Sequence, residues 1–241
     1  MKTPARFSAA LVAGVLTIGM GVATATAASA TDSAPTTTVK VKDLTAERTR
    51  CVAAVDVRLA TLAKLNASLT SAKNVPDAHR TVQSSNNANA LSGLDALKIK
   101  IGADTQAATL AADCKSVFED YRVFALRAPQ THLLIVGDTE AAAVTKLTAL
   151  VPKLSDAIDK AGTAGKDVTA AKGALADLQS HLGDAAAKAS TIADSVIGYT
   201  PADYNTNHAL LDTARANAKA VGADAKAARN DVNTIETSLK A

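Results

Sequence analysis

Between residues 168 and 239 the apolar positions form two unbroken stripes. The first runs Val168, Ala171, Leu175, Leu178, Leu182, Ala185, Ala189, Ile192 and Val196. The second runs Tyr204, Asn207, Leu211, Ala214, Ala218, Val221, Ala225, Ala228, Val232, Ile235 and Leu239. Both step alternately by three and four, which holds side chains on one side of a helix and gives the seam of a coiled coil. Gly198-Tyr199-Thr200-Pro201 separates them, supplying a helix stop, a cap and a first-turn proline. Helices are predicted over 166–197 and 201–239.

Upstream, Val52, Val55, Leu59, Leu62 and Leu69, interrupted by Asn66, predict a helix over 43–74. Asp43 caps it, Glu47 suits its first turn, and Val75-Pro76 ends it. Residues 83–90 are Ser, Asn and Ala with little pattern, so 75–90 reads as a long connection or a short accessory helix. Leu91, Leu94, Leu97, Leu110, Cys114, Val117, Tyr121 and Phe124 predict a second helix over 91–127, broken by Ala128-Pro129. Val136, Glu140, Val144, Leu147, Val151, Leu154 and Ile158 predict a third over 130–161, which Pro152 kinks or divides. Gly162 and Gly165 mark the turn that follows.

Composition sharpens this picture. The chain is 48% hydrophobic but 2% aromatic and has no Trp, because most of its apolar content is Ala. Ala is the best helix former, while strands favour branched and aromatic residues. The expected fold is all-α, an elongated antiparallel helical bundle with coiled-coil-like, Ala-rich helices occupying 43–241.

The N-terminus carries an address. Lys2 and Arg6 precede an uncharged stretch, residues 7–23, and Ala28-Ser29-Ala30 is a small-x-small cleavage signal. Residues 1–30 read as a secretory signal peptide and 31–42, rich in Thr and Ser, as a flexible spacer. There is no Arg-Arg pair and Thr31 is not Cys, which points to the general secretory route without a lipid anchor. The expected location is extracellular or in the cell envelope. Of the net charge of +3, Lys2 and Arg6 contribute two, so the exported part is nearly neutral and unsuited to nucleic acid or anionic lipid. After cleavage no apolar run reaches the ~18–20 residues of a membrane span. Residues 235–241 carry neither a wall-sorting motif nor a hydrophobic tail.

Cys51 and Cys114 are the only cysteines, and an even count in an oxidising compartment favours a disulfide between them. Two buried free thiols or an intermolecular pair are the alternatives. Matching runs of residues from Cys51 to Asn74 and from Leu91 to Cys114 would bring the pair level across two antiparallel helices. Three of the aromatic residues, Phe118, Tyr121 and Phe124, lie close together beside Cys114, followed by His132. They are candidates for a recognition patch or the floor of a small apolar pocket; the competing reading is that the rings fill a wide part of the bundle and His132 is structural. His208 and Asp212 share a helical face, but two ligands make no metal site, and no metal or other cofactor is expected. Catalytic fingerprints such as Gly-x-Ser-x-Gly, His-Glu-x-x-His or a Walker loop are absent from the sequence.

The segment Arg50-Cys51-Val52-Ala53-Ala54-Val55-Asp56-Val57-Arg58-Leu59, with Asp113-Cys114 and Asp120-Tyr121-Arg122-Val123-Phe124-Ala125-Leu126, resembles uncharacterised secreted α-helical proteins of actinobacteria. The run from Pro129 to Asp138 and the Ala/Asp/Lys/Arg-rich terminal helices resemble theirs as well. That resemblance implies a secreted setting and assigns no activity. The expected role is therefore non-enzymatic, through contacts with a protein or a cell-wall polymer. The alternative is a carrier holding a small apolar ligand near Phe118, Tyr121 and Phe124; an envelope enzyme of unrecognised type ranks third.

Overall fold

The computed structural model describes residues 44–240. The expected signal peptide and spacer, with Asp43 as a cap, lie outside the described residues. Eight α-helices follow in order: α1 (Leu44–Ser71), α2 (Asp77–Ala103), α3 (Ala107–Glu119), α4 (Ala128–Thr148), α5 (Val151–Thr163), α6 (Thr169–Ile197), α7 (Pro201–Thr206) and α8 (Asp212–Lys240). A five-residue π-helical turn, Val123–Arg127, joins α3 to α4. No strand occurs among the described residues, so the all-α class holds.

The two C-terminal stripes are buried over most of their length, although Leu175 and Ala218 are only half-buried and Ala174 and Ala193 are buried beside the stripe. Leu178, Leu182, Ala185, Ala189, Ile192 and Val196 of α6 are buried, as are Ala214, Val221, Ala225, Ala228, Val232 and Ile235 of α8. The two helices are antiparallel and form the most extensive pairing in the molecule. Lys188 Nζ lies 3.0 Å from Asp224 Oδ2, and near the far end Lys166 Nζ donates to the Leu239 carbonyl at 2.8 Å. Small Ala side chains let the backbones approach, and Gly137 does the same between α4 and α6. A Cβ there would lie 2.8 Å from Ile192 Cβ and 3.1 Å from the Ala193 nitrogen.

The N-terminal half departs from expectation in its passes. The stretch 75–90 is not a connection: α2 begins at Asp77 and runs through it to Ala103. The expected helix 91–127 is instead divided, with residues 104–106 separating α2 from α3. Cys51 and Cys114 are bonded, with Cα atoms 5.5 Å apart. However, Cys114 reaches Cys51 from a third pass, not from the second, so the equal-run register does not apply. Lys100 Nζ on Asp113 Oδ1 (2.7 Å) shows α3 returning alongside α2. The half is organised around a core of Cys51, Val55, Leu62, Leu94, Ile101, Leu110, Cys114 and Val117.

Further boundaries shift for local reasons. The helix expected over 130–161 divides at Ala149 and Leu150, with Pro152 in the first turn of α5, where its missing N–H costs nothing. The helix expected over 201–239 also divides, into α7 and α8. Thr200 and Asp203 form a reciprocal capping box that starts α7, but Asn207 leaves helical geometry and is exposed. Val136, first on the third stripe, is an exposed side chain.

Candidate functional site

All five aromatic residues in 44–240, Phe118, Tyr121, Phe124, Tyr199 and Tyr204, lie at the end of α3, in or just before the π-helical turn, or in and beside α7. This junction is built by a change of backbone geometry. Arg122 has φ 43°, and it is the only non-glycine residue with positive φ among those described. Its amide closes the end of α3 on the Phe118 carbonyl at 3.3 Å, and its carbonyl accepts from Leu126 and Arg127 at 2.8 and 3.1 Å. The last of these is the i to i+5 bond of a π turn. Pro129 follows two residues later; its ring would press on the Ala125 carbonyl in a regular helix, and a widened turn makes room for it. The break expected at Ala128-Pro129 therefore occurs at 120–122, and Pro129 sits inside the first turn of α4.

Phe118 and Phe124 share one cation. The guanidinium of Arg58, a residue only 4% exposed, lies 4.3 Å from the Phe118 centroid and 5.0 Å from that of Phe124. Nη1 donates to the Ala54 carbonyl at 3.0 Å. A desolvated cation on an aromatic face contributes about 2 kcal/mol. Tyr121 packs elsewhere, its hydroxyl only 2.6 Å from where a Cβ on Gly93 would stand. Burial, with help from Asp120, pushes its phenol pKa up. His132 is exposed on α4. The four predicted residues thus make separate contacts: two share Arg58, one fills the Gly93 notch, and one faces solvent.

On the outer side of the junction, Arg122 Nε donates to Asn205 Oδ1 at 2.5 Å and Asn205 Nδ2 donates to the Glu119 carbonyl at 3.1 Å. The Arg122 guanidinium lies 5.8 Å from the Tyr204 ring, which meets His208 edge-on at 5.1 Å. Tyr204 and Arg122 are half-buried and His208 is exposed. Strained backbone and π turns recur at functional sites, and Tyr and Arg are enriched where proteins make contacts.

A second polar assembly has no counterpart among the sequence candidates. Gln83 Nε2 donates to Asn87 Oδ1 (3.2 Å) and Thr131 Oγ1 (2.8 Å), and Asn87 Nδ2 donates to Asn66 Oδ1 (3.0 Å). Gln130 Nε2 closes the end of α6 by donating to the carbonyls of Val196 (2.6 Å) and Tyr199 (3.1 Å). Arg127 Nη1 donates to Gln130 Oε1 at 3.1 Å. Gln83, Asn87, Gln130 and Thr131 are fully buried. The four-residue spacing of His79, Gln83 and Asn87 was the available signal, since it marks one helical face, here a polar one.

Other clusters are spoken for. Glu47, Cys51 and Cys114 place three donor atoms within 4.8 Å of one another, but both sulfurs are bonded to each other. Asp104 and Asp113 are buried near Lys100, and desolvation followed by the charge of Asp113 raises the Asp104 pKa. Glu140 is buried on α4, its Oε2 has no hydrogen-bond partner, and desolvation raises its pKa to about 7.

No family model, no curated protein and no solved structure matches this chain.

Proposed function

We propose that this is an exported, non-enzymatic helical protein that works through contact with a protein or a cell-wall polymer, using the junction around Arg122, Tyr204 and His208. The observation that carries the reading is the concentration of every aromatic residue of 44–240 at one strained junction, with the outer rings left half-exposed. Elsewhere, side chains suited to chemistry are committed to the fold: the cysteines to each other, Arg58 to two rings, and His79 to two carboxylates. A carrier for a small apolar ligand is less well supported, because Arg58 already occupies the space between Phe118 and Phe124. The export signal and the similarity to secreted actinobacterial proteins complete the proposal.

The test compares wild type with Tyr204→Ala and Arg122→Gly, the latter keeping a residue that accepts φ 43°. Each tagged protein is expressed in the producing cells, cross-linked and fractionated into wall, membrane and medium, and it is also sedimented with purified cell walls. Retention or a discrete cross-link in wild type, weakened in both variants, supports the reading. Wild type that neither sediments nor cross-links, or variants that behave identically to it, would reject it.

A further inference from the structure

α2 meets α4 and α6 through a row of hydrogen-bonding side chains. Gln83 reaches Thr131 of α4, and Asn86 Nδ2 donates to the Ile197 carbonyl of α6 at 3.3 Å. At the outer end of this row stands His79. Its Nδ1 lies 3.0 Å from both carboxylate oxygens of Asp138 on α4, and its Nε2 lies 2.9 Å from Asp194 Oδ1 on α6. A carboxylate therefore faces each ring nitrogen. A neutral imidazole has one N–H and one lone pair, so it satisfies only one of these acceptors and opposes the other. The doubly protonated ring satisfies both.

The other charges near this histidine are accounted for. On α2, Asp77 pairs weakly with Arg80 at 3.9 Å. Arg80 is turned onto the carbonyls that end α1, donating to those of Leu69, Ala72 and Val75. The α1–α2 corner is thus bound to itself. On α4, Glu140 lies two residues from Asp138, on the opposite side of the helix. Asp138 and Asp194 are the charges that face the ring from α4 and α6.

We propose that His79 is a proton-controlled latch: as an imidazolium it bonds the first turns of α2 to both α4 and α6, and on losing its proton it keeps one of these ties and breaks the other. The polar row behind it then exchanges its bonds for water at little net cost, and the α1–α2 corner moves as one piece. The histidine's own electrostatics agree in sign, although burial of Asp138 outweighs its bond to His79 and raises that carboxyl's pKa. Burial alone would lower the pKa of His79, but hydrogen bonds and charge from Asp138 and Asp194 outweigh it and raise the pKa above 6.5. A raised folded-state value means the latch contributes fully below 6.5 and is lost as pH rises through that higher value.

The chain contains no Trp, so Val82→Trp, at an exposed position one turn from His79, provides a single reporter. Acrylamide quenching is measured from acid to mildly alkaline pH, with far-UV circular dichroism confirming that helix is retained. Quenching should rise with a midpoint above 6.5. The rise should vanish in a His79→Gln background, and Asp194→Asn should move the midpoint down while His132→Gln leaves it in place. The Asp194→Asn arm decides the matter if His79→Gln does not fold, because Asp194 is 72% exposed and its loss is tolerable. Quenching independent of pH, a transition that persists without His79, or a midpoint indifferent to Asp194→Asn would overturn the latch. Titration of Glu140 is separated by the same design, since its effect would survive His79→Gln.

Discussion

Glu140→Leu should stabilise the protein, and more at pH 8 than at pH 5. Glu140 occupies the apolar stripe of α4, is only 8% exposed, and has a carboxylate oxygen without a partner. Burial raises its pKa from 4.5 to about 7. Between those values the unfolded chain has released its proton while the folded chain still holds one. Stability therefore falls as pH rises from 4.5 to about 7 and levels off above that. Taken undiluted, the displacement corresponds to about 3 kcal/mol at pH 8. Partial access of solvent to the carboxyl reduces the expected penalty to about 1–2 kcal/mol. Leu removes the ionisable group and keeps an apolar side chain on the stripe, so the gain at pH 8 should be about that size. Urea unfolding followed by circular dichroism at the two pH values measures it. The comparison between variant and wild type cancels His79, whose stabilising contribution also declines with pH. An equal gain at both values, or a loss at pH 8, would show that the carboxyl is not held in a desolvated position.

Other outcomes are equally direct. Reducing the Cys51–Cys114 bond, whose partners are 63 residues apart, should lower stability by about 4 kcal/mol; an unchanged melting temperature would contradict a structural staple. The α6–α8 pair lies outside the closed loop, so partial unfolding on reduction should begin in α1–α3, as hydrogen exchange would resolve. Gly137→Ala places a methyl group against Ile192 and the Ala193 backbone and should cost about 1–3 kcal/mol, read by thermal melting against Gly173→Ala, where the added methyl group meets open space. N-terminal sequencing of secreted protein should begin at Thr31; a chain starting at Met1 would reject the export signal.

How far the fold was legible depended on the kind of information each segment carries. For α6 and α8 the alternation of three and four gave the pairing, because each helix needs only one apolar face and the partner supplies another like it, but it ran unbroken through Asn207, where the chain leaves the helix. Most of their buried residues follow from that spacing, and helix-forming Ala reinforces the pattern. The pairing of Cys51 with Cys114 followed from their number and the expected oxidising setting. The passes that bring the pair together did not: α2 begins at Asp77, well ahead of its apolar pattern at Leu91, because the face formed by His79, Gln83 and Asn87 is buried in hydrogen bonds rather than hydrocarbon. Hydrophobic periodicity cannot report a polar face of that kind.

The candidate site divides along the same line. Aromatic residues clustered around Cys114 were visible as a departure from an Ala-rich background, and they do mark the junction. Their roles depended on residues distant in sequence. Arg58 comes from α1 to fill the space between Phe118 and Phe124, Gly93 comes from α2 to admit Tyr121, and Tyr204 and Asn205 come from α7 to meet Arg122. Local sequence thus determined helix and the cysteine pair, since each depends on near neighbours or on simple number. Tertiary structure alone decided that Arg58 is buried, that Glu140 is desolvated and that His79 stands between two carboxylates, because burial and charge at a side chain are set by whatever other helices bring against it.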